Sequence, residues 1–377
     1  MNAPGAAPRV LLLCDRLEIA GGVERFVCAL ANHCAVQGLA VTVGTVGTPR
    51  EKLRYPLDAA VQVVHGHTGL PAGDGAWALL RRQWRTGRVL ARLIRDQRPD
   101  AIVLNGLTTA CSALLFTPRW ADVRTIACDH NHFGARSRTW QRLRARLYRP
   151  LAAVVSLTQA DAPRFAALNP RTEVIVNASA LQADAPAHPN GETVLAVARC
   201  VAQKGLDLLL QAWGAVIAAR PAARLVIVGD GPLQAALQQQ ARAAGIEASV
   251  TWRPPTPEIA AQYRAAALFV LPSRYEGMPL ALLEAQALGV PAVAFDCPTG
   301  PAEIIGTEPG RETGVVVPAG DVGALAQAIV RLLADAPLRE RMGAAAIERS
   351  RARFSPEAHC AAWTALVRRV AAAGARA

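Results

Sequence analysis

A chain of 377 residues is too long for one ordinary hydrophobic core and fits two domains of typical size. With 52% hydrophobic and 19% charged residues it is globular rather than disordered, and its longest apolar runs reach about half of the roughly 20 residues that a membrane-spanning helix needs. The formal charge of +12 is almost all arginine, since Lys52 and Lys204 are the only lysines, and it is lopsided: residues 1–185 hold 23 basic and 13 acidic residues, residues 186–377 hold 18 and 16.

The first segment, MNAPGAAPRVLLLCD, lacks the basic start and long apolar centre of a signal peptide and leads straight into a strand, so the protein is read as cytoplasmic. RVLLLCD is a buried strand, RLEIAGG a loop, and Val23 to about Gln37 a helix. LAVTVGTV and VQVVHG are strands. A helix with Trp77, Leu80 and Trp84 on one face ends before the strand RPDAIVLNG. VRTIACDH is a further strand, followed by an arginine-rich helix at about 138–149 and by the strands AAVVSLT and TEVIVNA. Ala, Pro, Asn and Gly then cluster, marking residues 179–190 as a linker. The alternation restarts with TVLAVA, the helix GLDLLLQAWGAVI, ARLVIVGDGP, ALFVLPS, PAVAFD and GVVVPAGD, and ends in helices broken at FSPE, the last from about Pro356 to Ala372. Continuous apolar strands separated by helices are the pattern of parallel sheets covered on both faces. The expected fold is therefore α/β: two Rossmann-like domains, over residues 1–178 and 191–355, with parallel sheets facing a central cleft, followed by residues 356–377.

Several groups of residues can carry chemistry. The eight cysteines show no CxxC pair and no Cys/His metal spacing, so they read as reduced, small buried residues. In ARCVAQKGLDLL, Arg199 follows a strand and Lys204 precedes a glycine and a helix; two cations there can clamp an anion with help from the helix N-terminus, or can simply form a solvated basic loop. In SRYEGMPLALLE, Pro279 suits the first position of a helix over 279–288 that is apolar nearly all round. Glu284 lies inside that apolar run, where a charge needs a partner, and ligand hydroxyls or an arginine from elsewhere would both serve. Glu276, in the preceding loop, could reach another part of the same ligand. Gly21 and Gly22 open a helix after the first strand and can form an anion loop or a plain turn. Gly229, in GDGP, makes a tight strand-to-helix turn. CDHNHF gathers Asp129, His130, Asn131 and His132 as a substrate-facing loop, a structural turn or a weak metal candidate. No D-x-D, G-x-S-x-G, Walker A or H-E-x-x-H sequence occurs. Arginines crowd residues 81–98 and 136–149, and in the second segment Trp140, Leu143 and Leu147 form an apolar stripe. A basic amphipathic helix of this kind can lie on an anionic membrane, or pack its stripe into the core. Nucleic-acid recognition motifs are missing.

ARCVAQKGLDLLLQAW, LVIVGDGP, LPSRYEGMPLALLEAQALGVPAVAFD and GVVVPAGD stand in the order and spacing of the retaining GT-B glycosyltransferases, family four (glycosyltransferases group 1), which the chain resembles over about 190–355, and more loosely before that through GGVER and DHN. FDCPTGPAEII resembles members that build bacterial surface polysaccharides and lipid-linked oligosaccharides. The resemblance implies a UDP-sugar as donor substrate, no metal, and a glycan or lipid-linked acceptor, with the protein peripheral on the inner face of the cytoplasmic membrane. It implies that Arg199 and Lys204 hold the donor diphosphate, Glu276 the sugar hydroxyls and Glu284 the ribose hydroxyls. Backbone around Gly277, Met278, Pro279 and Leu280 would meet sugar and phosphate. Gly21 and Gly22 would close on the phosphate, His130 would face the transferred sugar, and residues 356–377 would cross back to the first domain. Arg253 stands where many members have glycine, near the base. A nucleotide-sugar epimerase of related fold, a GDP-mannose-dependent mannosyltransferase and a non-catalytic basic binding protein are the alternatives.

Overall fold

The computed structural model describes residues 7–19, 21–67, 76–186 and 191–374, and the chain divides into two compact units. The first runs to Val176 and includes the stretch from Glu357 onward; the second is Asn177–Pro356.

The first unit is a parallel sheet of β1 (Arg9–Leu13), β2 (Ala40–Val46), β3 (Gln62–Gly66), β4 (Ala101–Asn105), β5 (Thr125–Cys128), β6 (Ala153–Ser156) and β7 (Thr172–Val174), in the order β3-β2-β1-β4-β5-β6-β7. Its helices are α1 (Gly22–Val36), α2 (Ala76–Gln97), α3 (Leu107–Leu114), α4 (Arg138–Leu147) and α5 (Ala162–Ala166). The central strands are apolar without alternation because helices cover both faces: Ile102, Val103 and Leu104 of β4 are fully buried, with Leu12 of β1 beside Val103. Strand order reverses between β1 and β4, which leaves a crevice outside their carboxyl ends.

The second unit repeats the scheme with β8 (Thr193–Val197), β9 (Arg224–Val228), β10 (Val250–Arg253), β11 (Leu268–Leu271), β12 (Ala292–Asp296) and β13 (Gly314–Pro318), in the order β10-β9-β8-β11-β12-β13, again all parallel. The reversal here lies between β8 and β11. Around the sheet pack α6 (Leu206–Ala219), α7 (Gln234–Ala243), α8 (Ile259–Arg264), α9 (Leu280–Ala287), α10 (Pro301–Ile304), α11 (Val322–Ala334) and α12 (Ala336–Arg353). Fully buried Trp213 of α6 anchors the core and donates its indole N–H to Ser249 at 2.9 Å, so its one polar atom is satisfied. The chain then returns to the first unit as α13 (Pro356–Gly374), whose buried Trp363 meets the Phe26 ring of α1 with centroids 5.3 Å apart.

Some sequence expectations change. Of the stretch read as a linker, residues 179–186 pack on the second unit: Ser179 is buried and Arg351 pairs with Asp184 at 2.9 Å, while residues 187–190 lie outside the described residues. Pro279 is the extended cap before α9 rather than its first residue, with φ −69° and ψ 113°. The Trp140, Leu143 and Leu147 stripe of α4 packs against the core of the first unit, so it is not a membrane-facing surface. Arg144 on the same helix is 1% exposed; its guanidinium bonds Asp129 at 2.9 Å and the Phe133 carbonyl at 2.9 Å. Burial raises the Asp129 pKa, and Arg144 and the Tyr148 hydroxyl at 2.7 Å pull the other way. Asp129 is thus a core ion-pair partner rather than a substrate-facing group.

Candidate active site

The carboxyl ends of β8 and β11 build the site of the second unit. After β8 the chain turns through Arg199 and a short 3-10 turn, Ala202–Lys204, into α6. Gly205 makes that turn possible: its φ is +62°, and a Cβ there would collide with the Pro272 carbonyl oxygen. The absence of a side chain lets the β8–α6 loop lie directly against the end of β11. Lys204 is thereby delivered to Glu276, with Nζ 2.7 Å from Oε1. Ser273 donates to the same oxygen at 2.6 Å. Glu276 is 5% exposed, so these two donors replace the water it loses. Among the described residues, no hydrogen bond reaches its Oε2.

The rest of the loop is held from several sides. Gln203 donates to the Tyr275 carbonyl at 3.0 Å, Thr299 to the Glu276 carbonyl at 3.1 Å, and Asn177 to the Met278 carbonyl at 3.1 Å. Arg274 bonds both carboxylate oxygens of Asp207, at 2.8 and 2.6 Å, and holds the Asp207 pKa below the usual carboxylate value. Gly277 and Met278 are buried and lead into the N-terminal end of α9, where the amides of Leu280 and Ala281 have no intrahelical acceptor. Four residues into α9, Glu284 is 4% exposed, and the Tyr263 hydroxyl lies 2.9 Å from its Oε2 and 2.9 Å from the Ala281 carbonyl. Arg199 is exposed at the mouth of the loop; Arg253 is exposed at the end of β10 and bonds Gln262. Gly229 ends β9 with φ +145°, against the Ala198 carbonyl.

In the first unit, Gly21 caps α1 in an extended conformation and Gly22 is its first residue, so their amides head a fifteen-residue helix. His130 follows β5. Its Nε2 is 3.0 Å from Asn105 Oδ1, and Asn105 Nδ2 donates to the Leu13 carbonyl at 3.1 Å. A carbonyl can only accept, so the atom facing Leu13 must be the amide nitrogen and the atom facing His130 the amide oxygen. His130 therefore carries its proton on Nε2 and keeps Nδ1 as an acceptor. Burial, and then nearby His359, push its pKa down to about 4, so the ring is neutral at pH 7. Phe26 of α1 backs it, with centroids 4.7 Å apart.

The structure thus brings Lys204 and Glu276 into contact and places Glu284 farther along the helix that follows Glu276. Arg199, Arg253 and Gly229 sit on neighbouring loops of the same unit. Gly21, Gly22 and His130 are at the carboxyl end of the other sheet. Ser273, Tyr263, Asn105, Gln203 and Thr299 are partners that sequence reading passed over; Ser273 alone carried a signal, three residues before Glu276 at the end of a strand.

Two parallel Rossmann-type sheets, each with polar and charged loops at the reversal of strand order, define the GT-B class of glycosyltransferase. Residues 191–335 match the family "Glycosyl transferases group 1" and residues 20–179 match "Glycosyltransferase Family 4", and the chain belongs to this family. It is 28% identical over 373 residues to the amylovoran biosynthesis glycosyltransferase AmsD of Erwinia amylovora, covering 94% of this chain and 98% of that one. Over 154 residues, 39% of each chain, it is 35% identical to a GDP-mannose-dependent monoacylated alpha-(1-6)-phosphatidylinositol monomannoside mannosyltransferase of Corynebacterium glutamicum. Among solved structures, Anabaena HepE in complex with UDP and glucose shares its fold with a TM-score of 0.73 at 18% identity, covering 94% of this chain and 98% of that one. Among the described residues no group of three or more His, Cys, Asp and Glu is placed to hold a metal ion, and no helix is long and apolar enough to cross a membrane.

Proposed function

We propose that this glycosyltransferase moves a hexose or N-acetylhexosamine from a UDP-sugar, with retention and without a metal ion, to a lipid-linked glycan acceptor during synthesis of a bacterial surface polysaccharide. The observation that carries the donor half is the Lys204–Glu276–Ser273 cluster at the β8/β11 reversal, with Glu284 on the helix that follows. Glu276 Oε2 accepts from sugar hydroxyls. Glu284 accepts from the ribose. Lys204, Arg199 and the amides at the start of α9 stabilise the charge that develops on the diphosphate as it leaves. Neutral His130 cannot serve as an acid at pH 7, and its Nδ1 is left to accept from a hydroxyl at the carboxyl edge of the first sheet. In the retaining step the bond from C1 to the phosphate oxygen breaks as the acceptor oxygen bonds C1 on the same face. The acceptor proton passes to the departing phosphate.

The polysaccharide role draws on the likeness to AmsD, and the UDP preference on the likeness to UDP-binding HepE. One observation favours a second donor: the match to the Corynebacterium glutamicum mannosyltransferase makes GDP-mannose the alternative. On this reading the protein works at the cytoplasmic face of the membrane, where its basic first unit meets anionic lipid.

The test is release of nucleoside diphosphate from UDP-glucose, UDP-galactose, UDP-N-acetylglucosamine and GDP-mannose in EDTA. Release from one or more UDP-sugars, abolished in Glu276→Ala, is expected. Release from GDP-mannose alone would overturn the base assignment, and a strict requirement for added divalent metal would overturn the metal-free chemistry.

A further inference from the structure

Between β11 and α9 the chain is gripped by its carbonyls, from three different segments of the second unit. Gln203, in the β8–α6 turn, donates its side-chain amide to the Tyr275 carbonyl at 3.0 Å, and its own carbonyl accepts from the Arg274 N–H at 2.8 Å. Buried Thr299, in the loop after β12, donates its hydroxyl to the Glu276 carbonyl at 3.1 Å. Asn177, ahead of β8, holds the Met278 carbonyl at 3.1 Å.

No peptide bond among the described residues is cis, so each carbonyl and the N–H that follows it point to opposite sides of one plane. The grip on the Tyr275 carbonyl therefore sets the direction of the Glu276 N–H, and the grip on the Glu276 carbonyl sets that of the Gly277 N–H. The Gly277 carbonyl is confined by packing: Gly300 has φ +95°, and a Cβ there would collide with this oxygen. That sets the Met278 N–H. Asn177 is different, because the peptide it holds ends in Pro279, which has no N–H to aim. Glu276, Gly277 and Met278 are all buried, yet their N–H groups make no hydrogen bond among the described residues. Buried N–H groups are nearly always paired. A loop fastened only for stability would satisfy them; three in succession, each directed by a hold on the carbonyl before it, are donors kept for a ligand.

We propose that Gln203 and Thr299 are positioning residues for the transfer, which keep the Glu276 and Gly277 amides aimed at the terminal phosphate of the departing nucleoside diphosphate. The inference rests on the donor reading above: Glu276 takes the sugar, so the amides beside it meet the phosphate that bears the sugar. Donors fixed beforehand stabilise developing charge without having to reorganise as it appears. The Thr299 grip matters most, because Gly277 is the residue of the loop with the greatest backbone freedom, and an unheld glycine peptide can turn its N–H away.

The experiment is calorimetric titration of the full chain, in EDTA, with UDP, UMP, GDP and GMP. The proteins are wild type, Thr299→Val, Thr299→Ser and Gln203→Met, with stoichiometry read in every run. A diphosphate differs from its monophosphate only in the terminal phosphate, so the ratio of the two affinities isolates the proposed contact from any general loss of folded protein. Wild type is expected to bind the diphosphate more tightly than the monophosphate. Thr299→Val and Gln203→Met should each lower diphosphate affinity about tenfold, the scale of one hydrogen bond to a charged group, and leave monophosphate affinity and stoichiometry unchanged. Thr299→Ser keeps the hydroxyl and should behave as wild type. Two results overturn the inference and leave the donor reading standing: a wild-type affinity ratio in Thr299→Val and Gln203→Met, or Thr299→Ser as impaired as Thr299→Val. The expected pattern with GDP and GMP in place of UDP and UMP upholds the inference and overturns only the base assignment. Folded wild type that binds none of the four nucleotides overturns the donor reading and the inference together.

Discussion

Replacing Lys204 with methionine keeps the length of the side chain and removes its charge, leaving Glu276 in place with Ser273 as its remaining donor. The side chains of the pair are 21% and 6% exposed, at 2.7 Å. Breaking a fully buried pair by deleting one partner costs about 3–5 kcal/mol, because the surviving charge is stranded. Lys204 is one-fifth exposed and Ser273 still donates, so the expected loss is below that range, about 2–3 kcal/mol. Glu276→Gln strands no charge of its own in the interior and leaves Lys204 access to water, so it should cost about 1 kcal/mol. The double variant should resemble Glu276→Gln alone, giving a coupling of about 2–3 kcal/mol. The two units need not unfold together, so the assay is hydrogen exchange of β8 and β11 peptides under increasing urea rather than a single melting curve. Additive losses, with the double variant less stable than either single one, would refute the claim that the cation's main structural partner is this carboxylate.

Gly205→Ala forces a left-handed backbone on a residue with a Cβ, about 1–2 kcal/mol, and drives the β8–α6 loop off β11, for a total of about 3 kcal/mol or more and loss of donor binding. Gly214→Ala in α6, where a Cβ meets nothing within 4 Å, should instead stabilise by about 0.5–1 kcal/mol in the same exchange measurement. For His130, depression of the folded pKa to about 4 means that the unfolded chain takes up the proton first. Its contribution is complete above about pH 6.5, and falls as pH drops from there towards 4, at no more than about 1.4 kcal/mol per unit. His130→Asn should flatten stability in that window in urea titrations at stepped pH. Asn105→Leu should weaken turnover by releasing the His130 tautomer, and Asn105→Gln should not match wild type, since its longer arm cannot keep both the 3.1 and 3.0 Å contacts.

Much of the architecture was legible because parallel strands buried on both faces read as unbroken apolar runs, and β4, β6, β8 and β11 stand out in the sequence on that ground. Lys204 and Glu276 were each legible as candidates, but their contact was not. They are 72 residues apart, and they meet only because strand order places β8 beside β11. Glu284 announced its burial by sitting in an apolar helix, yet its partner Tyr263 comes from α8, and nothing local encodes that. The stripe on α4 shows the limit of periodicity: Trp140, Leu143 and Leu147 give the same pattern whether lipid or a protein core lies opposite. The overlooked clue was Arg144, which adjoins that stripe and needed an acid, and Asp129 stood fifteen residues earlier.

The most direct test of a nucleotide-sugar site at the β8/β11 reversal is calorimetric titration with UDP, GDP and ADP, in EDTA, of wild type and Glu284→Ala. The account predicts tight, metal-independent binding of UDP in preference to GDP and ADP, weakened in the variant by about 1–3 kcal/mol, the scale of hydrogen bonds to a charged group. No binding of any of the three nucleotides by folded wild-type protein, or equal binding by Glu284→Ala, would contradict it.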